Sequence, residues 1–397
     1  MASWTASPTD SVTPLDAAGG PIPLAVDNQS FRMVITPHLG GSTLRVHLTN
    51  RFGLTPVTFE RVSIANQLSG AAVANAVPVL FDGKAATTLP PGADVISDPV
   101  SFDVAAFAPV AVSIYVPDAG PPTKHWNANA TSFYSPAGSG DLTAQAGADG
   151  FGSTTGSWLY VSALDVLAGA DTRAVVAFGD SITDGFVGAT ALSVPVDRGV
   201  ADTNGRYPDV LQRRLDTAGI PISVVNAGIG SNRLLASGEP LLLGPSGLSR
   251  FERDALARSG VGGVLVQEGI NDLGLPPSAE ATAMIAGYEQ LITTAHRHGK
   301  KIWLGTLLPA SDAVVDGVLL APRSEIDRQR INAWIRTQNR ADGIVDFDAA
   351  LSDPADPSVL RDVYSSPDRL HPSLAGYRAM AETVDLALLD DAPSPAC

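Results

Sequence analysis

Cysteine is almost missing from this sequence: 397 residues contain a single one, Cys397, at the end of the chain. One thiol cannot form an internal bridge, so the fold must rest on its hydrophobic cores, and cysteine usage leaves the redox compartment open. Positive charge is scarce too, with 26 Lys and Arg against 41 Asp and Glu and a net charge of −15. That balance argues against nucleic acid as a partner, because such binding needs cations that displace counterions from phosphates, and an anionic membrane surface would repel the chain. No run of about 18 apolar residues occurs, so no membrane-spanning helix is expected.

Residues 1–10 carry neither a basic n-region nor an apolar h-region. A polar start rich in Ser, Thr and Pro suits a mature secreted protein, so the expectation is secretion with the leader absent from this sequence; a cytoplasmic location is the alternative. No metal-ligand spacing appears, and no cofactor is implied.

What is present is an ordinary globular composition, 45% apolar and 17% charged, with 38 Gly and 30 Pro spread over loops. The length suggests two or three domains, and the rhythm of the chain changes once. Up to about Leu167, short apolar or alternating runs at 31–35, 43–48, 57–64 and 110–116 are separated by turn clusters such as Gly40-Gly41 and Pro90-Pro91-Gly92. No segment of this half sustains a helical period. It reads as an antiparallel β-sandwich of the jelly-roll sort, with the arginines inside its strands facing outward. Residues 123–134 mix aromatics with amides, a composition able to stack on sugars, but ordinary packing explains it as well.

Beyond residue 168, strands expected at 174–178, 222–226, 263–267, 301–307 and 343–347 alternate with helices. Pro208 marks one helix start and Gly219 its stop; further helices are expected over 279–298, 325–338 and 374–389. This alternation argues for a three-layer α/β domain with a parallel sheet, giving domains at 1–167 and 168–397.

Acyl transfer needs a nucleophile, a base, an orienter for that base, and donors for the developing oxyanion. Gly179-Asp180-Ser181-Ile182-Thr183-Asp184-Gly185 follows the first α/β strand and places a small hydroxyl where ligands bind in open α/β sheets. Alone, such a serine is an ordinary helix N-cap. Downstream, Asp368-Arg369-Leu370-His371 supplies a carboxylate three residues before a histidine, and one tight turn would bring both side chains to one side. Gly269-Ile270-Asn271-Asp272 puts an amide donor at another strand end, and residues 226–232 are rich in glycine that lets backbone N–H groups point outward. His296 and His298 read as cations on the last turn of a helix. Asp346 and Asp348, two residues apart at a strand end, lack the partner loop that glycoside cleavage would require.

In order and spacing these four blocks resemble those of the SGNH/GDSL hydrolases, over residues 174–372. The resemblance implies a flavodoxin-like sheet and a serine esterase. It implies Ser181 as nucleophile and backbone donor, Asn271 as oxyanion donor, and Asp368 and His371 as the rest of the triad, with Asp180 supporting. The second block departs from the pattern: Ser231 stands where the family usually has glycine, with Gly230 just before it, so either could be the backbone donor. The expected activity is hydrolysis of carboxylic esters, short-chain or sugar O-acetyl, on a small molecule or polysaccharide. The alternatives are a glycan-binding protein whose β-domain is the working part, or an SGNH lipase, thioesterase or acyltransferase.

Overall fold

The computed structural model describes residues 1–238, 244–314 and 323–390; Cys397 lies outside them. These residues form two compact units. One is built from Met1–Gly169 together with Ala201–Thr203, the other from Ala170–Val200 and the described residues from Asn204 onward.

The first unit is antiparallel throughout. One sheet centres on Val26–Ile35 and Val110–Ala119, paired in register from Val110 opposite Ile35 to Ala119 opposite Val26; Arg61–Ser69 flanks the second of these strands. The other sheet centres on Gly41–Thr49 and Val161–Val166. Apolar residues from both sheets, among them Phe31, Met33, Val46, Leu48, Val112, Ile114 and Leu164, meet in one core. Burial of alternate side chains is what holds each register, since a one-residue slip would turn every apolar group outward. The run expected over 57–64 divides at the exposed Glu60 into Val57–Phe59 and Arg61–Ser69.

One expectation for this unit fails. Arg45 and Arg61 are exposed, but Arg32, inside the strand Val26–Ile35, is fully buried. Its guanidinium donates to Ser113 Oγ and to the carbonyls of Ala71, Leu142 and Gln145, and it lies 4.0 Å from the centre of the Phe151 ring. The chain around 142–151 covers that face, so a position outward by alternation becomes interior, and carbonyl acceptors satisfy the charge. In the stretch 123–134, His125, Trp126 and Asn127 are buried, and Trp126 Nε1 donates to the carbonyl of Leu15.

The second unit carries a parallel sheet, whose strands are numbered here within the unit: β1 (Arg173–Gly179), β2 (Ile222–Gly228), β3 (Val261–Gln267), β4 (Lys301–Gly305) and β5 (Gly343–Val345). Their order is β2-β1-β3-β4-β5, the flavodoxin-like arrangement. The first three strands are wholly buried and near-continuously apolar, as a sheet covered on both faces requires. Helices Tyr207–Ala218, Ala281–Arg297, Arg323–Thr337 and Leu374–Thr383 alternate with or follow the strands. The first has Pro208 in its opening turn and stops at Gly219, φ +69°. The helix expected over 374–389 breaks at Val384, with Leu386–Asp390 as a separate turn. Among the described residues no helix is long and apolar enough to cross a membrane.

In this order the chain runs from β1 outward to β2 on one side, crosses back past β1 to β3, and continues outward to β4 and β5 on the other. The crevice at that switch point lies at the carboxyl ends of β1 and β3, and Ser181 and Asn271 both follow those ends.

Candidate active site

Ser181 opens a single helical turn, Ser181–Asp184, two residues beyond the end of β1. Asp180 caps the turn by accepting from the backbone N–H of Ile182 at 2.9 Å, and Gly185, φ +87°, closes it. The sheet and the turn pack with no room to spare. A Cβ on Gly179 would lie 2.0 Å from the carbonyl oxygen of Gln267, and one on Gly228 would lie 2.2 Å from the backbone nitrogen of Asp184. The glycines at these strand ends therefore permit close backbone approach. Asn226, near the end of β2, donates from its amide to the carbonyl of Thr183 at 2.7 Å and ties the second block to the serine turn.

Asp368 and His371 are brought together by the turn between them. Arg369 takes φ +61°, and Oδ1 of Asp368 accepts from the backbone N–H groups of Leu370 and His371 at 3.0 and 2.9 Å and from the Ser366 hydroxyl at 2.7 Å. Oδ2 is left facing His371 Nδ1 at 2.7 Å, and His371 Nε2 lies 2.8 Å from Ser181 Oγ. Burial works to raise the Asp368 carboxyl, but the opposing charge and hydrogen bond of His371, with the His371 N–H and Ser366, hold it well below the usual carboxylate range. The Phe186 ring packs 4.8 Å from the His371 ring. A line of this kind lets an imidazole take a hydroxyl proton while an ionised carboxylate fixes its tautomer.

Asn271 stands in the short helix Ile270–Gly274 after β3 and donates from Nδ2 to the carbonyl of Asn232 at 2.9 Å. A primary amide has two N–H groups, so the second remains for a ligand. Asp272 accepts from the backbone N–H groups of Leu234 and Leu235 at 2.7 and 3.0 Å, clasping the chain after the second block. Ser231 takes φ +58°, while Gly230 is outside the left-handed region. The serine has thus adopted the conformation for which glycine is usual, and neither N–H, of Gly230 or of Ser231, donates to an acceptor among the described residues.

Three acidic groups lie beneath this edge. Burial pushes Asp180 up to about 6, against the hydrogen bond from Ile182 and the charge of His371. Burial likewise pushes Asp272 to about 6, against the N–H groups of Leu235 and Leu234. Glu268 is fully buried, neither of its carboxyl oxygens has a hydrogen-bond partner among the described residues, and burial pushes it to about 8 despite Arg250 at 3.6 Å.

The structure thus gathers Ser181, His371 and Asp368 into one hydrogen-bonded line, and Asp180 caps the turn that carries the serine. Sequence reasoning missed Asn226, Arg250, Ser366 and the clasp made by Asp272. Ser366 could have been found in the Ser-x-Asp-x-x-His spacing, whereas Arg250 sits in a charged stretch, residues 249–254, that reads as a solvated helix face. The residues set aside make other contacts: His296 Nε2 lies 2.8 Å from Asp342 Oδ2, and Asp346 and Asp348 pair with Arg336 at 2.8 and 2.7 Å.

The GDSL-like lipase/acylhydrolase family model matches residues 177–379, just over half of the chain. The chain belongs to that family, and it is a hydrolase. No curated protein matches it. Among solved structures, a carbohydrate acetylesterase from Sinorhizobium meliloti is similar over 55% of this chain and 100% of its own, at 14% identity and TM-score 0.45. The aryl esterase of M. smegmatis is similar over 53% and 95%, at 16% identity and TM-score 0.42. A Corynascus thermopiles carbohydrate esterase family 2 enzyme with its carbohydrate binding domain is similar over 97% and 98%, at 13% identity and TM-score 0.39.

Proposed function

We propose that this chain is a serine esterase that cleaves short-chain carboxylic esters, sugar O-acetyl esters among them, through an acyl-enzyme on Ser181. The observation that carries the reading is the line from Asp368 through His371 to Ser181, 2.7 and 2.8 Å long in its two links. Ser181 Oγ attacks the acyl carbon as His371 Nε2 takes its proton, and the carbonyl oxygen becomes an oxyanion. The free N–H of Asn271, the backbone N–H of Ser181 and an N–H of the Gly230-Ser231 turn receive it. The Ser181 N–H suits this role because it belongs to the first residue of a helix, where no intrahelical acceptor exists. Collapse expels the alcohol, which takes the proton from His371. Water then attacks the acyl group while His371 accepts its proton; collapse breaks the acyl–Oγ bond, Ser181 Oγ recovers that proton from His371, and the carboxylic acid leaves.

The β-unit preceding the hydrolase resembles the layout of some carbohydrate esterases, which supports a sugar-borne ester. The competing reading, a glycan-binding β-unit as the working part, loses its main sequence feature, because His125, Trp126 and Asn127 of the stretch 123–134 are buried.

The test is a panel of esters from acetyl to long acyl, with acetylated xylan included, run on the wild type and on Ser181→Ala. Turnover should be greatest for acetyl and should vanish in the variant; an unchanged rate in Ser181→Ala would sink the assignment.

A further inference from the structure

Arg250 lies on the short helix Gly247–Phe251, outside the four motif blocks, and is wholly buried. Its guanidinium makes one hydrogen bond with each nitrogen. Nη2 donates to the carbonyl of Gly179 at 2.8 Å, Nη1 to the carbonyl of Ala227 at 2.6 Å, and Nε to the side-chain oxygen of Asn232 at 2.8 Å. The first two acceptors sit at the carboxyl ends of β1 and β2, and the first is two residues from Ser181. The third belongs to the residue whose own carbonyl receives Asn271 Nδ2 at 2.9 Å. The cation is kept in place by the Phe178 ring, 4.0 Å from its centre, and by the Asp254 carboxylate at 3.6 Å.

A guanidinium is a rigid planar fork, so these three acceptors are held in one fixed relation. A primary amide is planar too: pinning one N–H of Asn271 on the Asn232 carbonyl sets the direction of the other. The side chain of Asn232 is in turn held at both ends, by Arg250 at its oxygen and by the carbonyl of Pro245, which accepts from its Nδ2 at 2.9 Å.

We infer that Arg250 and Asn232 are positioning residues of the ester hydrolysis, forming an arm that aims the free N–H of Asn271 at the oxyanion in fixed relation to the strand end that carries Ser181. The inference rests on the serine-esterase reading of the site. It concerns the transition state, because an amide pointed at a developing charge is worth far more there than in the ground state.

The test is a double-mutant cycle on the full chain with a simple acetyl ester. Asn232→Ala should lower kcat by about 10- to 100-fold with KM changed less than about 2-fold. Combined with Asn271→Ala, it should cost less than about 2-fold more, because the arm then has nothing to aim. Asn232→Asp keeps the acceptor for Arg250 but loses the donor to the Pro245 carbonyl, so it should recover only part of the rate, whereas Arg250→Lys, which cannot fork, should lose as much as Asn232→Ala. Melting curves accompany each variant. Losses that multiply in the double variant, a uniform rise in KM, or failure of all these variants to fold would each overturn the inference, since the arm must aim Asn271 without being needed for folding. The underlying esterase reading fails separately, by survival of turnover in Ser181→Ala.

Discussion

Gly188 presses against Asp368 so closely that a Cβ at position 188 would lie 2.3 Å from Oδ2, the oxygen that faces His371. Gly188→Ala must therefore move the carboxylate or the chain. A displacement of about 1 Å in a reacting constellation can cost on the order of 10²-fold, so kcat for an acetyl ester is expected to fall by roughly 10- to 100-fold. Steady-state kinetics beside a melting curve checks this; full activity would show that the carboxylate need not hold its place.

Asp368→Asn keeps the shape of the turn but replaces the ionised acceptor of His371 Nδ1 by an amide. The loss expected is on the order of 10⁴-fold in kcat, because the histidine then settles in the wrong tautomer. Circular dichroism should be unchanged, and retention of more than about a tenth of the rate would refute the role.

If Asn271 is the oxyanion donor of the proposed esterase, Asn271→Ala should cost about 10² to 10³ in kcat with little change in KM. A negligible effect on kcat would mean that the amide serves only to join the helix Ile270–Gly274 to Asn232.

Ser231 holds φ +58°, a conformation that costs a residue with a Cβ roughly 1 kcal/mol or more. Ser231→Gly is expected to raise stability by up to about 1 kcal/mol and to leave kcat within about 3-fold. Ser231→Val, β-branched at the same dihedrals, should lower both. Denaturant titration and ester kinetics on the two variants separate a backbone role from a side-chain role.

Glu268, ordinarily near 4.5, is pushed to about 8 by burial, so the folded chain keeps a proton that the unfolded chain releases. Its contribution to stability is full below about 4.5 and declines by about 1.4 kcal/mol per pH unit up to about 8. Asp180 and Asp272, pushed to about 6, add in the same sense between about 3.8 and about 6. Asp368, held low, acts in the opposite sense but only below 3.8. Unfolding free energy is therefore expected to fall from pH 6 to pH 8, and Glu268→Gln should flatten that fall. Urea titrations of both proteins across this range check it, and parallel slopes would exclude Glu268 as the cause.

The alternation of periods was legible from the residues: buried apolar runs at β1 to β3, helices bounded by Pro208, Gly219 and Gly299, and a first half without helical period. Element ends were less so. Phe347 reads as strand from its hydrophobicity yet begins the helix Phe347–Leu351, because Asp346 caps that turn by accepting from the N–H of Ala349. Arg32 was misplaced for a related reason, since alternation identifies the two faces of a strand but not the loop that will cover one of them.

The sequence by itself determined the family and the βα order of the second unit and marked Ser181, Asn271, Asp368 and His371 as candidates, since short motifs at strand ends are local and survive without knowledge of the rest. Only the tertiary structure decided that Ser231 takes left-handed dihedrals, that Ser366 and two backbone N–H groups leave one Asp368 oxygen for His371, and that Arg250 joins two strand ends to Asn232. Those facts depend on contacts between segments distant in the chain. A buried guanidinium leaves no local periodicity: its acceptors are backbone carbonyls, which every residue possesses.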